Sequence, residues 1–116
     1  MATPKENKIK ELVLAGKYEY SKHAEREREA DRIWVRQLEE ALTNCEIIED
    51  YPDDPRGPSF LALGFSENRP IHIVGSIRTN PDELLLITVY DPSKNPDAWT
   101  ENYRKRKGRE NAKKLS

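Results

Sequence analysis

The sequence predicts an α+β domain whose helices pack on one face of a small antiparallel sheet, and three features lead to that reading. Helix signals crowd the first 45 residues. Apolar residues then bunch into residues 60–65, 71–77 and 84–90, short runs of strand length. Turn-forming stretches separate those runs, most plainly Pro52-Asp53-Asp54-Pro55-Arg56-Gly57-Pro58, where the prolines forbid regular structure. The chain of 116 residues has room for a single core.

Each element has its own local cause. Thr3-Pro4-Lys5-Glu6 combines a hydroxyl cap, proline at the first helical position and a glutamate three residues after the cap. Ile9, Leu12 and Val13 share one face of that helix, and Gly16 stops it. Tyr18 to Tyr20 reads as a short strand. Ser21 then caps a second helix through Ala30 that carries almost no apolar side chain besides Ala24 and Ala30. A third helix places Trp34, Val35, Leu38, Ala41 and Leu42 on one stripe that should cross the sheet. Residues 46–51 form the next strand, and 60–65 the one after, closed by a turn at Glu67-Asn68-Arg69. In 71–78, Ile71, Ile73 and Ile77 alternate with His72, Ser76 and Arg78, so one side faces the core and the other faces outward. Residues 84–89 are apolar on both sides, which predicts an interior strand. Asn95-Pro96 begins a last helix with Trp99, Tyr103 and Arg106 on one side. The organisation is an N-terminal capping helix (1–17), the main domain (18–107) and a basic tail (108–116).

The composition narrows the function classes. Hydrophobic and charged residues each make up 35% of the chain, and no stretch approaches the roughly 20 apolar residues of a membrane helix, so no membrane partner is expected. The N-terminal residues carry no secretory signal, and Cys45 is the sole cysteine, so a reducing cytoplasm is the expected location and no disulfide or structural zinc is expected. Net charge is only −1 but unevenly spread. Residues 23–58 hold eleven acids against five bases, whereas residues 101–116 hold seven bases against Glu101 and Glu110. The consecutive Arg104, Lys105, Arg106 and Lys107 are therefore candidate contacts for a phosphate backbone, set against a plain solvated terminus.

A longer motif set runs from Tyr20-Ser21-x-His23-Ala24-Glu25 through Glu27-Arg28, Ala30-Asp31 and Ile33, then Glu46 to Ser59 without interruption. It continues with Leu63-Gly64-Phe65, Arg69-Pro70-Ile71-His72 and Ile87-Thr88-Val89-Tyr90-x-Pro92, followed by Trp99. This set resembles a bacterial domain-of-unknown-function family akin to the RelE and BrnT toxins, over roughly residues 18–106. The resemblance implies a RelE-like fold and a cofactor-free, metal-independent endoribonuclease, the toxin of a toxin–antitoxin pair. It further implies RNA or the ribosome as target and a cognate antitoxin protein as partner. The alternative is a non-catalytic module of the same fold that docks a protein.

Metal-free RNA cleavage needs a base, a cation to stabilise the charged phosphorane and an acid for the leaving oxygen. The candidate catalytic residues are His23, Arg28, His72 and Tyr90. His23, Glu27 and Asp31 recur at i, i+4 and i+8, on one face of the polar helix. Each has a plainer alternative: a capping or surface role for His23, ion pairing for Arg28 and the acids, a loop hydrogen bond for His72, packing for Tyr90 and Trp99. Cys45 reads as buried filler.

Overall fold

The computed structural model describes residues 2–55 and 57–107. The expected basic tail, 108–116, lies outside them. The chain runs α1 (Pro4–Leu14), β1 (Tyr18–Tyr20), α2 (Lys22–Ala30), α3 (Val35–Thr43), β2 (Glu46–Tyr51), β3 (Ser59–Ser66), β4 (Arg69–Arg78) and β5 (Glu83–Tyr90). Two short 3-10 turns then lead to a hairpin of β6 (Trp99–Thr100) and β7 (Lys105–Arg106). The main sheet has the order β1-β5-β4-β3-β2. The α+β class holds, with one refinement: β1 pairs with β5 in parallel, so the sheet is mixed at that edge and antiparallel elsewhere.

The caps form as the sequence predicts. Thr3 Oγ1 accepts from the Glu6 N–H while Glu6 Oε1 accepts from the Thr3 N–H, at 3.1 and 2.8 Å. The other oxygen of Glu6 accepts from the Ile47 N–H at 2.7 Å, so one carboxylate both starts α1 and fastens it to β2. Gly16, at φ +72°, takes the left-handed conformation that ends the helix. Ser21 caps α2 by accepting from the Ala24 N–H, and its hydroxyl donates to the Ile87 carbonyl of β5.

The three helices bury Ile9, Leu12, Val13, Ala24, Leu38, Ala41 and Leu42 against Phe60, Ala62, Ile71, Ile73, Leu84, Leu86 and Val89 of the sheet. The helix α3 lies close on β3. A Cβ at Gly64 would stand 2.0 Å from the Ala41 carbonyl oxygen, so only glycine fits there. The strand β5 is interior, as its two-sided apolar pattern predicts. Beyond the three residues that β1 covers, helix α2 closes its open edge. The Val89 N–H donates to Glu27 at 3.2 Å, and the Asp91 N–H donates to Asp31 at 2.8 Å. Two acids one helical turn apart thus stand in for a missing strand.

Three expectations need correction. Trp34 does not join the buried stripe of α3: it precedes the helix as its cap residue and is 65% exposed, with Val35 at 40%. Arg69 belongs to β4, not to a turn; its guanidinium bonds Asp91 and the carbonyls of Asp31 and Arg32. The expected helix after Pro96 lasts one 3-10 turn, and Trp99 then enters a hairpin. Glu101, Asn102 and Tyr103 all sit at positive φ (53°, 57° and 70°), a left-handed turn that no right-handed helix can contain.

Candidate functional site

The face of the sheet away from the helices carries a chain of contacting polar and aromatic groups. Strand register builds it. His72 faces Tyr90 across β4 and β5, and Leu63 faces His72 across β3 and β4. On β2, Glu46, Glu49 and Tyr51 stand opposite Leu63, Leu61 and Ser59. A bulge between Ile47 and Glu49 leaves Ile48 without a partner. That extra residue returns Glu49 to the same side as Glu46, where an unbroken period of two would have put them on opposite sides.

The hairpin folds over this face. Trp99 meets the His72 ring edge-on at 4.3 Å between centroids, and Tyr90 meets it at 5.2 Å. Arg106 lies over the Trp99 ring at 4.9 Å and pairs with Glu49 at 2.9 Å. Glu49 also accepts from the Tyr51 hydroxyl. The contacts thus run Tyr51, Glu49, Arg106, Trp99, His72, Tyr90 without a break.

His72 is fully buried, not outward-facing, because the hairpin covers it. One ring nitrogen lies 2.9 Å from the Tyr103 carbonyl and the other 3.0 Å from the Tyr90 hydroxyl. The carbonyl can only accept, so Nε2 carries the proton and Nδ1 accepts from Tyr90. Burial pushes the imidazole down to about 4, so it is neutral near pH 7. Burial likewise raises the Tyr90 phenol to about 12. Burial opposes the charge of Arg106, but its bonds to Glu49 and Tyr51 outweigh that and raise its pKa.

The structure brings His72, Tyr90 and Arg106 together and gives His23 and Arg28 other partners. His23 is largely exposed and pairs with Glu27 at 3.1 Å. Arg28 bonds Glu25 and the Ile33 carbonyl, closing the turn between α2 and α3. Of the basic run, Arg104 pairs with Glu46, Lys105 with Glu101 and Arg106 with Glu49, while Lys107 is exposed. Glu49 and Tyr51 escaped the sequence reading because the bulge breaks the alternation that would have marked them as neighbours. Cys45, half-buried, has its thiol pushed up to about 12 by burial, as suits filler. Among the described residues no group of three or more His, Cys, Asp or Glu side chains could hold a metal ion, and no helix is long and apolar enough to cross a membrane.

Residues 20–91, 72 of the 116, match the family described as Domain of unknown function (DUF4258). The chain belongs to that family. No curated protein and no solved structure matches it. The matched span of this DUF4258 protein contains Glu49, Tyr51, His72 and Tyr90 and ends at Asp91. Trp99 and Arg106, which complete the cluster, come from the hairpin beyond it.

Proposed function

We propose that this chain is a metal-independent endoribonuclease of the RelE-like toxin type, working at the hairpin-covered face of its sheet. One observation carries the reading: a carboxylate, a guanidinium, two phenols and an imidazole gather there, in Glu49, Arg106, Tyr51, Tyr90 and His72. These are the parts that RNA cleavage without a metal requires. Glu49 takes the proton of the 2′-hydroxyl, and the 2′-oxygen attacks phosphorus. The bond to the 5′-oxygen breaks, that oxygen takes a proton from Tyr51, and the upstream strand ends in a 2′,3′-cyclic phosphate. Arg106, held by Glu49 and Trp99 and partly exposed, stabilises the phosphoryl oxygens. His72 is a positioning residue: neutral and enclosed, it aims Tyr90 and anchors the hairpin through Tyr103. Arg104, Lys105 and Lys107 steer the phosphate backbone. In this reading the target is RNA, free or on a ribosome, the partner is an antitoxin protein, and the setting is the cytoplasm.

A second reading, a protein-docking module, draws on the ion pairs that Arg104 and Arg106 already make with Glu46 and Glu49. The two are separated by incubating the full chain with single-stranded RNA in excess chelator and identifying the product ends. Cyclic phosphate ends, retained in His23→Ala, are expected. Intact RNA with folded protein would leave the docking module.

A further inference from the structure

The cover of the sheet face is attached more lightly than the helices opposite. Its two strands are two residues long, and they pair with each other but with no strand of the main sheet. A hairpin of that size is marginal by itself in water. Its turn holds Glu101, Asn102 and Tyr103 at positive φ, a conformation that such residues keep only when their surroundings enforce it. Polar and ring contacts hold it down: Arg104 on Glu46 at 3.1 Å, Arg106 on Glu49 at 2.9 Å, and the Trp99 ring and Tyr103 carbonyl on His72. Both arginine side chains are more than a third exposed, and ion pairs at such positions contribute little.

The tether and the floor fit the same picture. Asp91 and Pro92 are buried, but Asn95, Pro96 and Asp97, which lead from them to Trp99, are exposed, so the chain can bend there without disturbing the core. Beneath the hairpin, Leu61 and Leu63 are buried although they stand outside the helical cluster. The Glu49 side chain is only 12% exposed, and its carboxylate is taken by Arg106 and by the Tyr51 hydroxyl. A ligand reaches that carboxylate only by displacing one of them.

We propose that the β6–β7 hairpin is a strap that lifts off the sheet face while the main sheet and the helices stay folded, with the ion pairs to Glu46 and Glu49 as its catch. Closed, it ties the Glu49 carboxylate to Arg106 and roofs Leu61 and Leu63. Open, it uncovers all three. Lifting is a local opening of the hairpin, and it does not depend on what the face acts on. Its consequence rests on the cleavage reading: there the closed strap is autoinhibitory, its opening admits a ribose to Glu49, and its return brings Arg106 to the phosphate.

Adjacent positions of β3 supply the test, since Leu63 lies under the hairpin and Ala62 under the helices. Leu63→Cys and Ala62→Cys are each made in the full chain carrying Cys45→Ala. Iodoacetamide labelling of each is compared with the rate that its own global unfolding, measured in denaturant, allows. The Leu63→Cys protein should react about tenfold or more faster than that limit, and the Ala62→Cys protein at it. Leu61→Cys is the second probe beneath the strap. Adding Glu46→Lys to Leu63→Cys should speed its labelling about fivefold, and adding Arg104→Glu as well should slow it again by restoring an opposite-charge pair. Labelling of Leu63→Cys and Leu61→Cys only at the global limit would overturn the proposal. So would an Ala62→Cys protein that reacts as fast as Leu63→Cys, or a rate that Glu46→Lys leaves unmoved. The readout is labelling, so a chain that cleaves no RNA leaves the strap standing.

Discussion

The two faces of the sheet are closed in different ways. On one, three helices press Ile9, Leu38, Ala41 and Leu42 onto Phe60, Ile71, Ile73, Leu84 and Leu86. Contacts there are apolar and close enough to exclude even a methyl group at Gly64. On the other, Leu61 and Leu63 are also buried, but beside them stand Glu46, Glu49, Tyr51, His72 and Tyr90. The cover is a hairpin of two-residue strands held by ring contacts and ion pairs. Burying apolar area supplies stability that involves no proton and no ion pair for salt to screen. A face closed by charges and hydrogen bonds answers to both.

The largest effect that would sharpen this contrast is on chemistry. Glu49→Gln should lower the RNA cleavage rate by about two to four orders of magnitude, the usual contribution of a general base. The melting temperature should fall as well, since Gln keeps the shape of the side chain but leaves Arg106 without its carboxylate, so the rate is compared at a temperature where both proteins are folded. Single-turnover kinetics at one pH checks it, and an unchanged rate would remove Glu49 from the reaction.

On the helical face, Gly64→Ala should cost about 3 kcal/mol in denaturant unfolding, because the backbone of α3 has nowhere to go. A loss below about 1 kcal/mol would mean that α3 slides freely over β3.

His72 makes the other face sensitive to acid. Its pKa is lowered to about 4 in the folded chain from an ordinary value of 6.5. Between those values the unfolded chain binds the extra proton, so unfolding free energy falls as pH drops from about 6.5 to 4. The full span amounts to about 3 kcal/mol. His72→Gln should flatten stability against pH in that window, and an unchanged slope would place the acid sensitivity elsewhere. Asp91 acts lower on the scale. Burial raises its pKa, but bonds to Ser93 and Arg69 outweigh that and lower it, so its contribution is lost only as pH falls through its depressed value.

The smallest effect concerns the edge of β5. Glu27→Ala and Asp31→Ala should each cost about 1–3 kcal/mol, since one removes the acceptor of the Val89 N–H in β5 and the other that of the Asp91 N–H just past its end. Faster amide exchange at Val89 and Asp91 is the direct readout.

Much of the helical face was legible in the sequence. The capping box at Thr3, the stop at Gly16 and the Ser21 cap depend on neighbours within four residues, and the structure forms all three. Alternation in β4 correctly put Ile71 and Ile73 on the core side. The same alternation put His72 opposite them but could not show that Trp99 would cover it. Trp34 misled because its spacing fits a buried stripe, while the helix starts one residue later and leaves its ring outside. Of the candidate site, His72, Tyr90 and Arg106 were named from sequence and meet in space, whereas His23 and Arg28 take local partners within α2 and its turn.

The sequence by itself determined the elements whose causes are local: helix caps, the apolar stripes of α1 and α3, the proline-rich loop and the interior character of β5. Only the tertiary structure decided what lies across from what. Glu49 reaches Arg106 over 57 positions, and the His72 ring meets the Tyr103 carbonyl over 31. The first draws on a one-residue bulge in β2, and the second on a left-handed turn at residues 101–103. Neither leaves a periodic trace, because each is a single break in a repeating pattern, stabilised by partners distant in the chain.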